Sequence, residues 1–511
     1  MNSPLLALLR AFFQNHMRLR LLTLVSVTLL GAAVPLHAHV GSSDVFYEGN
    51  AGPYRLFVTV RVPQVIPGVA EIQVRSESND VTQISVVVLT LTGPGSSLPP
   101  IPDLATRSAS DPQFFTATLW LMAPGALQVR VAVDGAKGRA ELSVPVSSFA
   151  QRTLPMQKSL GWLLFILMAF LAVGVVSIVG AGVREGNLEP GTNPGPCNRR
   201  RARLIMVATA VLVVATLYLG RAWWGVEARG YQRHVDFFKP PSAETSLLNG
   251  DRLVIRAKGQ SPNWSQYVNM NQVVPDHNHL MHLFLIGPGL DRLWHLHPSR
   301  IEGGAFAEDL PTMPAGHYQI FADVVDKSGY PWTLIGSVDL PQIGGKLLSG
   351  DDSSWHGTPL PATPADSISS PLPDGGRIVW QRSAAPLKAN ISLEFKFKVQ
   401  DKDGKPAQDL QPYMGMAGHA EFVRSDFSVF AHIHPAGSVS MAALELAQTG
   451  LTSDPLSVQS SMSMPVSTSS GPLSPEIRFP YGFPQPGDYR IFVQIKRTGQ
   501  IETGVFDAHV P

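Results

Sequence analysis

From Leu160 to Val183 the chain runs for 24 residues without a charged side chain. At about 1.5 Å per residue in a helix, such a run spans the roughly 30 Å hydrocarbon core of a bilayer. A second uncharged run, Leu204 to Gly220, has 17 residues and is followed by Trp223 and Trp224, which suit a membrane–water interface. The intervening loop carries Arg184, Arg199, Arg200, Arg201 and Arg203. Dense cationic loops of this size prefer the cytoplasmic side, but the outer flanks also carry Arg and Lys, so charge bias alone does not set the orientation. The pattern predicts transmembrane helices over 159–183 and 204–224, with a cytoplasmic loop at 184–203. Neither run contains a charge, so the hairpin reads as an anchor rather than an ion path.

The N-terminus sets the expected orientation. Arg10, Arg18 and Arg20 precede the uncharged run 21–34, and Pro35 leads into Leu36-His37-Ala38. Residues 1–38 therefore read as a signal peptide whose removal makes His39 the new N-terminus. Met17 would give a signal of ordinary length, and an uncleaved anchor is the alternative. With residue 39 exported and two spans following, 39–157 and 225–511 are expected to share one compartment. The predicted location is the inner (cytoplasmic) membrane, crossed twice, with both flanking regions in the periplasm or outside.

Composition narrows the partners. A net charge of +1 provides no basic field, so nucleic acid is not expected. The single cysteine, Cys197, allows neither an internal disulfide nor a thiolate cluster. Outside the apolar runs, short segments alternate with period 2, as in Arg55–Val62 and Ile391–Val399, between frequent Gly and Pro turns.

An internal repeat sharpens this picture. Pro314-Ala-Gly-His-Tyr-Gln-Ile-Phe321 runs on to Pro341, and Pro486-Gly-Asp-Tyr-Arg-Ile-Phe492 runs on to Pro511. Pro124-Gly-Ala-Leu-Gln-Val-Arg130, ending at Pro145, is a weaker third copy. Each reads as a turn into a strand, with a second strand returning to close a domain. The expected fold is mainly β: three immunoglobulin-like or cupredoxin-like β-sandwich domains plus the two transmembrane helices. The domains are placed at 39–150, 245–345 and 376–511. A Pro/Ser/Gly-rich linker is expected near 342–376, and 438–474 reads as a long loop inserted into the last domain.

Eight of the fifteen histidines fall in two windows that are in register. The first holds His277, His279 and His282, then His295-Leu-His297-Pro298. The second holds Met414, Met416 and His419, then His432-Ile-His434-Pro435. From Pro275 to His282, as from Pro412 to His419, is 7 residues, and from each of those histidines to the His-x-His-Pro motif is 13. In this register Met414 stands for His277 and Met416 for His279. Histidine and methionine pack differently but both coordinate copper, the thioether favouring Cu(I). On a strand, His-x-His places both rings on one face about 6.6–7 Å apart, and a neighbouring strand about 4.8 Å away can supply His282 or His419. The expected cofactor is a copper ion, with zinc the alternative, at a nitrogen-rich site in the first repeat and a mixed nitrogen/sulfur site in the second. Asp276, Asp291 and Asp426 are the candidate supporting carboxylates. Met441, Met462 and Met464 could extend a sulfur-rich path, though flexible filler is the plainer reading.

A cleaved His39 would present an α-amine beside its imidazole, a chelating pair for Cu(II). That start resembles CopC-like periplasmic copper-resistance proteins, also small β-sandwiches. The further histidine of that family has no counterpart between 40 and 150, where Asp44 and Glu48 are the stand-ins. The segments His419–Pro435 and Pro486–Phe492 are similar to YtkA/FixH-like exported β-sandwich domains. That resemblance implies metal handling near the membrane and no particular mechanism.

No Gly-x-Ser-x-Gly, His-Glu-x-x-His or phosphate-binding glycine loop is present. The chain thus reads as a metal binder with no catalytic residues assigned, although redox chemistry at a bound copper stays open. The competing reading is an envelope scaffold whose β domains dock a periplasmic or membrane protein partner.

Overall fold

The structure, a computed structural model, describes residues 41–189, 191–361, 367–449 and 473–511. The signal segment, His39, Met462 and Met464 lie outside the described residues.

The uncharged runs form two long helices, Lys158–Glu185 and Pro196–Phe237, each long and apolar enough to cross a membrane. Gly180 lets them approach: a Cβ there would meet the Met206 side chain at 2.5 Å. The second helix does not end at 224. Nothing stops it until Lys239-Pro240-Pro241, so it continues to Phe237 and is roughly 60 Å long, twice the apolar thickness of a bilayer. Its far end is packed. Val235 joins the core of the N-terminal β region, and the Tyr231 hydroxyl accepts the Ile66 N–H at 3.3 Å. Phe237 and Phe238 lie against Trp332 at 6.1 Å between ring centroids.

The remainder is mainly β and forms several sheets. Residues 45–148 build a five-stranded and a four-stranded sheet around one core that includes Leu56, Val58, Ile72, Val129 and Val144. Burial alternates along Gly68–Ser76 as the period-2 reading requires. Residues 242–356 form a single hydrogen-bonded sheet of ten strands. Leu253 and Ile255, near one end of that sheet, share a core with Leu283 and Trp294 near the other, so the sheet closes over itself. From Ser369 onward there are again two sheets, of four and five strands, around Ile378, Phe397, Phe422 and Ile491. All three Pro/Gly hairpins are present: Gly125–Gly135 with Gly138–Ser148, Gly316–Asp326 with Pro331–Leu340, and Gly487–Arg497 with Gln500–Val510.

Two segments differ from expectation. The linker carries Ser353–His356, which pairs with Arg292–Leu296 and extends the ten-stranded sheet. The start of the expected inserted loop is a helix, Met441–Thr449. Its Ala442, Ala443, Leu444 and Ala447 are buried, Ala443 and Ala447 against Leu91. Apolar residues spaced three to five apart give it a face that packs, which a search for strand periodicity passes over.

The two repeats meet face to face. On His282–Ile286, Leu283 and Leu285 enter their own core while Phe284 and Ile286 point to the partner repeat. On His419–Arg424, Ala420 and Phe422 turn inward and Val423 outward. Phe321 of one repeat stacks on Phe430 of the other at 4.2 Å and 4°. Arg490 donates to the carbonyls of Leu290 and Thr358 across the same seam. An apolar floor thus holds the two outer faces together. The histidines continue the same faces, so the strand alternation delivers them to the seam.

Candidate metal centre

Two equivalent turns frame the site. Asp276 and His279 exchange both main-chain hydrogen bonds, as do Tyr413 and Met416. The central residues have positive φ in both: His277 52° and Asn278 68°, Met414 48° and Gly415 79°. This is the signature of a type I′ turn, and it places His277 opposite Met414, as the sequence register requires. Each turn leads into a strand that begins with a histidine, His282 or His419. The neighbouring antiparallel strand brings His295 and His297, or His432 and His434.

Seven of the eight imidazoles are buried or have nearly inaccessible side chains, and they group into two trios. His282, His295 and His297 form one, all from the first repeat. His277, His419 and His434 form the other, so one of its members crosses from the first repeat to the second. Within each trio one nitrogen from every ring lies within 4.8 Å of the others. Ring separations repeat between the halves. His282–His297 and His419–His434 are both 5.1 Å, and His295–His297 and His432–His434 are both 4.7 Å. His282–His295 is 5.5 Å and His419–His432 is 5.4 Å. The seam has local two-fold symmetry.

Hydrogen bonding fixes where the protons are. His277 Nδ1 donates to the Met414 carbonyl at 3.0 Å, and His434 Nδ1 donates to the Val439 carbonyl at 3.1 Å. A carbonyl only accepts, and a neutral imidazole has one N–H. The two Nε2 atoms are therefore both unprotonated, yet they face each other at 3.2 Å. The other trio has a similar approach, His282 Nδ1 to His295 Nε2 at 3.2 Å, while His282 Nε2 donates to the Asp276 carbonyl. His297 Nδ1 is held by Asp352 at 2.9 Å, and His295 Nδ1 by the Gln494 side chain at 2.9 Å. His297 Nε2, His432 Nε2 and both nitrogens of His419 are buried without a partner. Rings anchored through one nitrogen with the other lone pair aimed inward are the arrangement of metal-ligating histidines.

Burial first, and neighbouring imidazoles second, hold His277, His282, His297, His419 and His432 well below the usual histidine range. Burial likewise lowers His434, and takes His295 down to about 3. The neutral form that binds metal is thus the stable one at neutral pH. Burial pushes Asp323 up to about 7 and Glu421 well above the carboxylate range.

The remaining candidates are placed as follows. His279 is half-buried, stacks on His297 at 3.9 Å and meets Asp351 at 3.3 Å. Met414 is buried and supplies its carbonyl to His277, and Met416 is half-buried at the end of its turn. Asp276 is at the site through its carbonyl, and its carboxylate accepts the Ala442 N–H at 2.7 Å. Asp291 and Asp426 are at the opposite ends of the hairpins, bonded to Arg292 and to Arg424 with Ser428. They are close to the histidines in sequence, but a strand of that length carries them away from the site. Asp44 and Glu48 are ion-paired with Arg61 and Arg55. Met441 begins the 441–449 helix and packs at the N-terminal core. The supporting residues not read from the sequence are Asp351 and Asp352 in the linker, Gln494, and Asp323, which meets His432 at 3.5 Å. Asp323 and Gln494 sit opposite His282 and His419 in the sheets. Aligning the two hairpin strands with the histidine windows would have pointed to that pair. A cavity of about 240 Å³ adjoins the site, lined in part by Asp44, Asp276, Asp323, His282, His432 and Trp332.

Residues 373–511 match a family described as a domain of unknown function, DUF8832. No curated protein matches the chain. Among solved structures, dimeric latent PorU from Porphyromonas gingivalis aligns at 9% identity and a TM-score of 0.13, over 92% of this chain and 34% of that one. Elastase-activated alpha-2-macroglobulin from Escherichia coli aligns at 8% and 0.17, over 91% and 31%. The ICAM-5 D1–D4 ectodomain fragment aligns at 8% and 0.15, over 90% and 83%. The chain thus spans about a third of the length of the first two, and alignments at these TM-scores do not establish a shared fold.

Proposed function

We propose that this is a two-pass, membrane-anchored protein that binds metal, with copper preferred over zinc, between its two repeated β regions outside the cytoplasm. The expected sandwich domains 245–345 and 376–511 act as the walls of that site. One observation carries the reading: His277 Nε2 and His434 Nε2, both unprotonated, face each other at 3.2 Å in a buried site. Two lone pairs in contact with no donor between them are costly, and a bound cation converts that cost into coordination. A docking scaffold has no need of seven buried, depressed-pKa imidazoles, since buried polar groups without partners destabilise a fold.

The detergent-purified full chain, loaded and then challenged with a chelator, should retain two ions, one for each trio. Retention of none, for copper and zinc alike, would overturn the proposal. The orientation is tested separately. A reporter active only outside the cytoplasm should work when fused after Pro511 and fail in the 185–189 segment of the loop. The opposite pattern would refute the placement outside.

A further inference from the structure

His277 approaches the other repeat more closely than its own, where its ring lies 5.9 Å from His282. Its ring lies 5.1 Å from His419 and 4.6 Å from His434 of the other repeat. The local two-fold relation that maps His419 onto His282 and His434 onto His297 maps His277 onto Met414. Three observations fit a reciprocal exchange. Met414 occupies the same left-handed turn position, with φ 48° against 52°. It is only 6% exposed. His297 Nε2, the counterpart of the His434 nitrogen that faces His277, is buried and has no partner, while its Nδ1 is tied to Asp352.

We infer that Met414 is the fourth ligand of the His282–His295–His297 trio, lent by the second repeat as His277 is lent by the first, and that this trio is the site for a soft monovalent cation, Cu(I) or Ag(I). The exchange inverts the ligand sets expected from the sequence. The first repeat's trio gains the sulfur, and the second repeat's trio is closed by an imidazole. Thioether sulfur is neutral and soft, so it favours monovalent coinage metals over Zn(II). The all-imidazole trio has no such bias. This inference rests on the metal reading above.

The test uses the full chain in detergent with His434→Asn to disable the second trio. Met414→Leu conserves volume and apolarity, so the turn should be kept. Ag(I) affinity should fall at least tenfold, since loss of an outer-shell partner alone commonly costs about 10–100-fold. Zn(II) affinity should be nearly unchanged. X-ray absorption of the Cu(I)-loaded His434→Asn chain should show a sulfur scatterer that Met414→Leu removes. Sulfur scattering that survives Met281→Leu and Met416→Leu, the other methionines beside the histidines in sequence, assigns it to Met414 even if the Met414→Leu variant folds poorly. Nitrogen-only scattering in a chain that binds Zn(II) overturns this inference alone. Failure of the parent chain to bind any metal overturns the metal reading with it.

Discussion

Replacing His277 with asparagine should empty the trio formed with His419 and His434, although those two lie about 140 and 157 residues further along the chain. Asparagine tolerates the left-handed backbone that His277 adopts, so the turn should survive. Its shorter side chain cannot reach the position of Nε2. Bound metal should drop from two ions to one. Affinity at the lost site should weaken by on the order of 100-fold or more, beyond the range for outer-shell partners. Pairing the change with others identifies the emptied site. His277→Asn with His434→Asn strikes one site twice and should leave one ion, whereas His277→Asn with His297→Asn strikes both and should leave none. If instead the pair with His434→Asn leaves none and the pair with His297→Asn leaves one, each repeat binds metal by itself and the crossing has no role.

The metal-free chain should be sharply acid-labile. Seven imidazoles of the site, and His356 besides, have folded pKa values below the unfolded value of about 6.5. Above that pH neither state is protonated and nothing is lost. Below it the unfolded chain takes up protons that the folded chain refuses, so each group removes about 1.4 kcal/mol per pH unit until its folded pKa is reached. Asp323, Glu308, Asp352 and Glu421 act in the opposite direction, as do the raises at Asp44, Glu48, Glu445 and Glu502. Their folded pKa values are raised, to about 7 for Asp323 and about 6 for Asp352, so their contribution grows as the pH falls towards the unfolded carboxylate value. The seven buried imidazoles outweigh the four carboxylates with the largest raises, and the net loss should be on the order of a few kcal/mol between pH 6.5 and 5. With the metal removed by chelator, the Tm of the full chain should fall by about 10 °C or more over that interval. Metal loading should delay the fall, because ligand bound only to the folded state stabilises it. A metal-free Tm that is flat or rises on acidification would show that these imidazoles are solvated rather than buried.

Much of this architecture can be read from local pattern alone. Charge-free runs locate the two helices, each long and apolar enough to cross a membrane. Period-2 alternation and Pro/Gly turns locate the three hairpins. The equal spacing of the two windows pairs His277 with Met414, and in the fold both occupy the same position of a type I′ turn.

Tertiary structure alone decided which residues share a site. A strand's alternation says that His282 and Phe284 lie on one face but not what that face meets. Only the packing of two outer faces, set by Phe284, Phe321, Phe430 and Phe492, brings His277 to His434. Asp351 and Asp352 lie in a stretch with linker composition and reach His279 and His297 only because Ser353–His356 joins the sheet edge. Asp291 and Asp426, adjacent to the histidines in sequence, are carried to the far ends of their hairpins. Proximity along a strand is distance in space, whereas proximity across a seam depends on both surfaces at once, and no window of the sequence contains both.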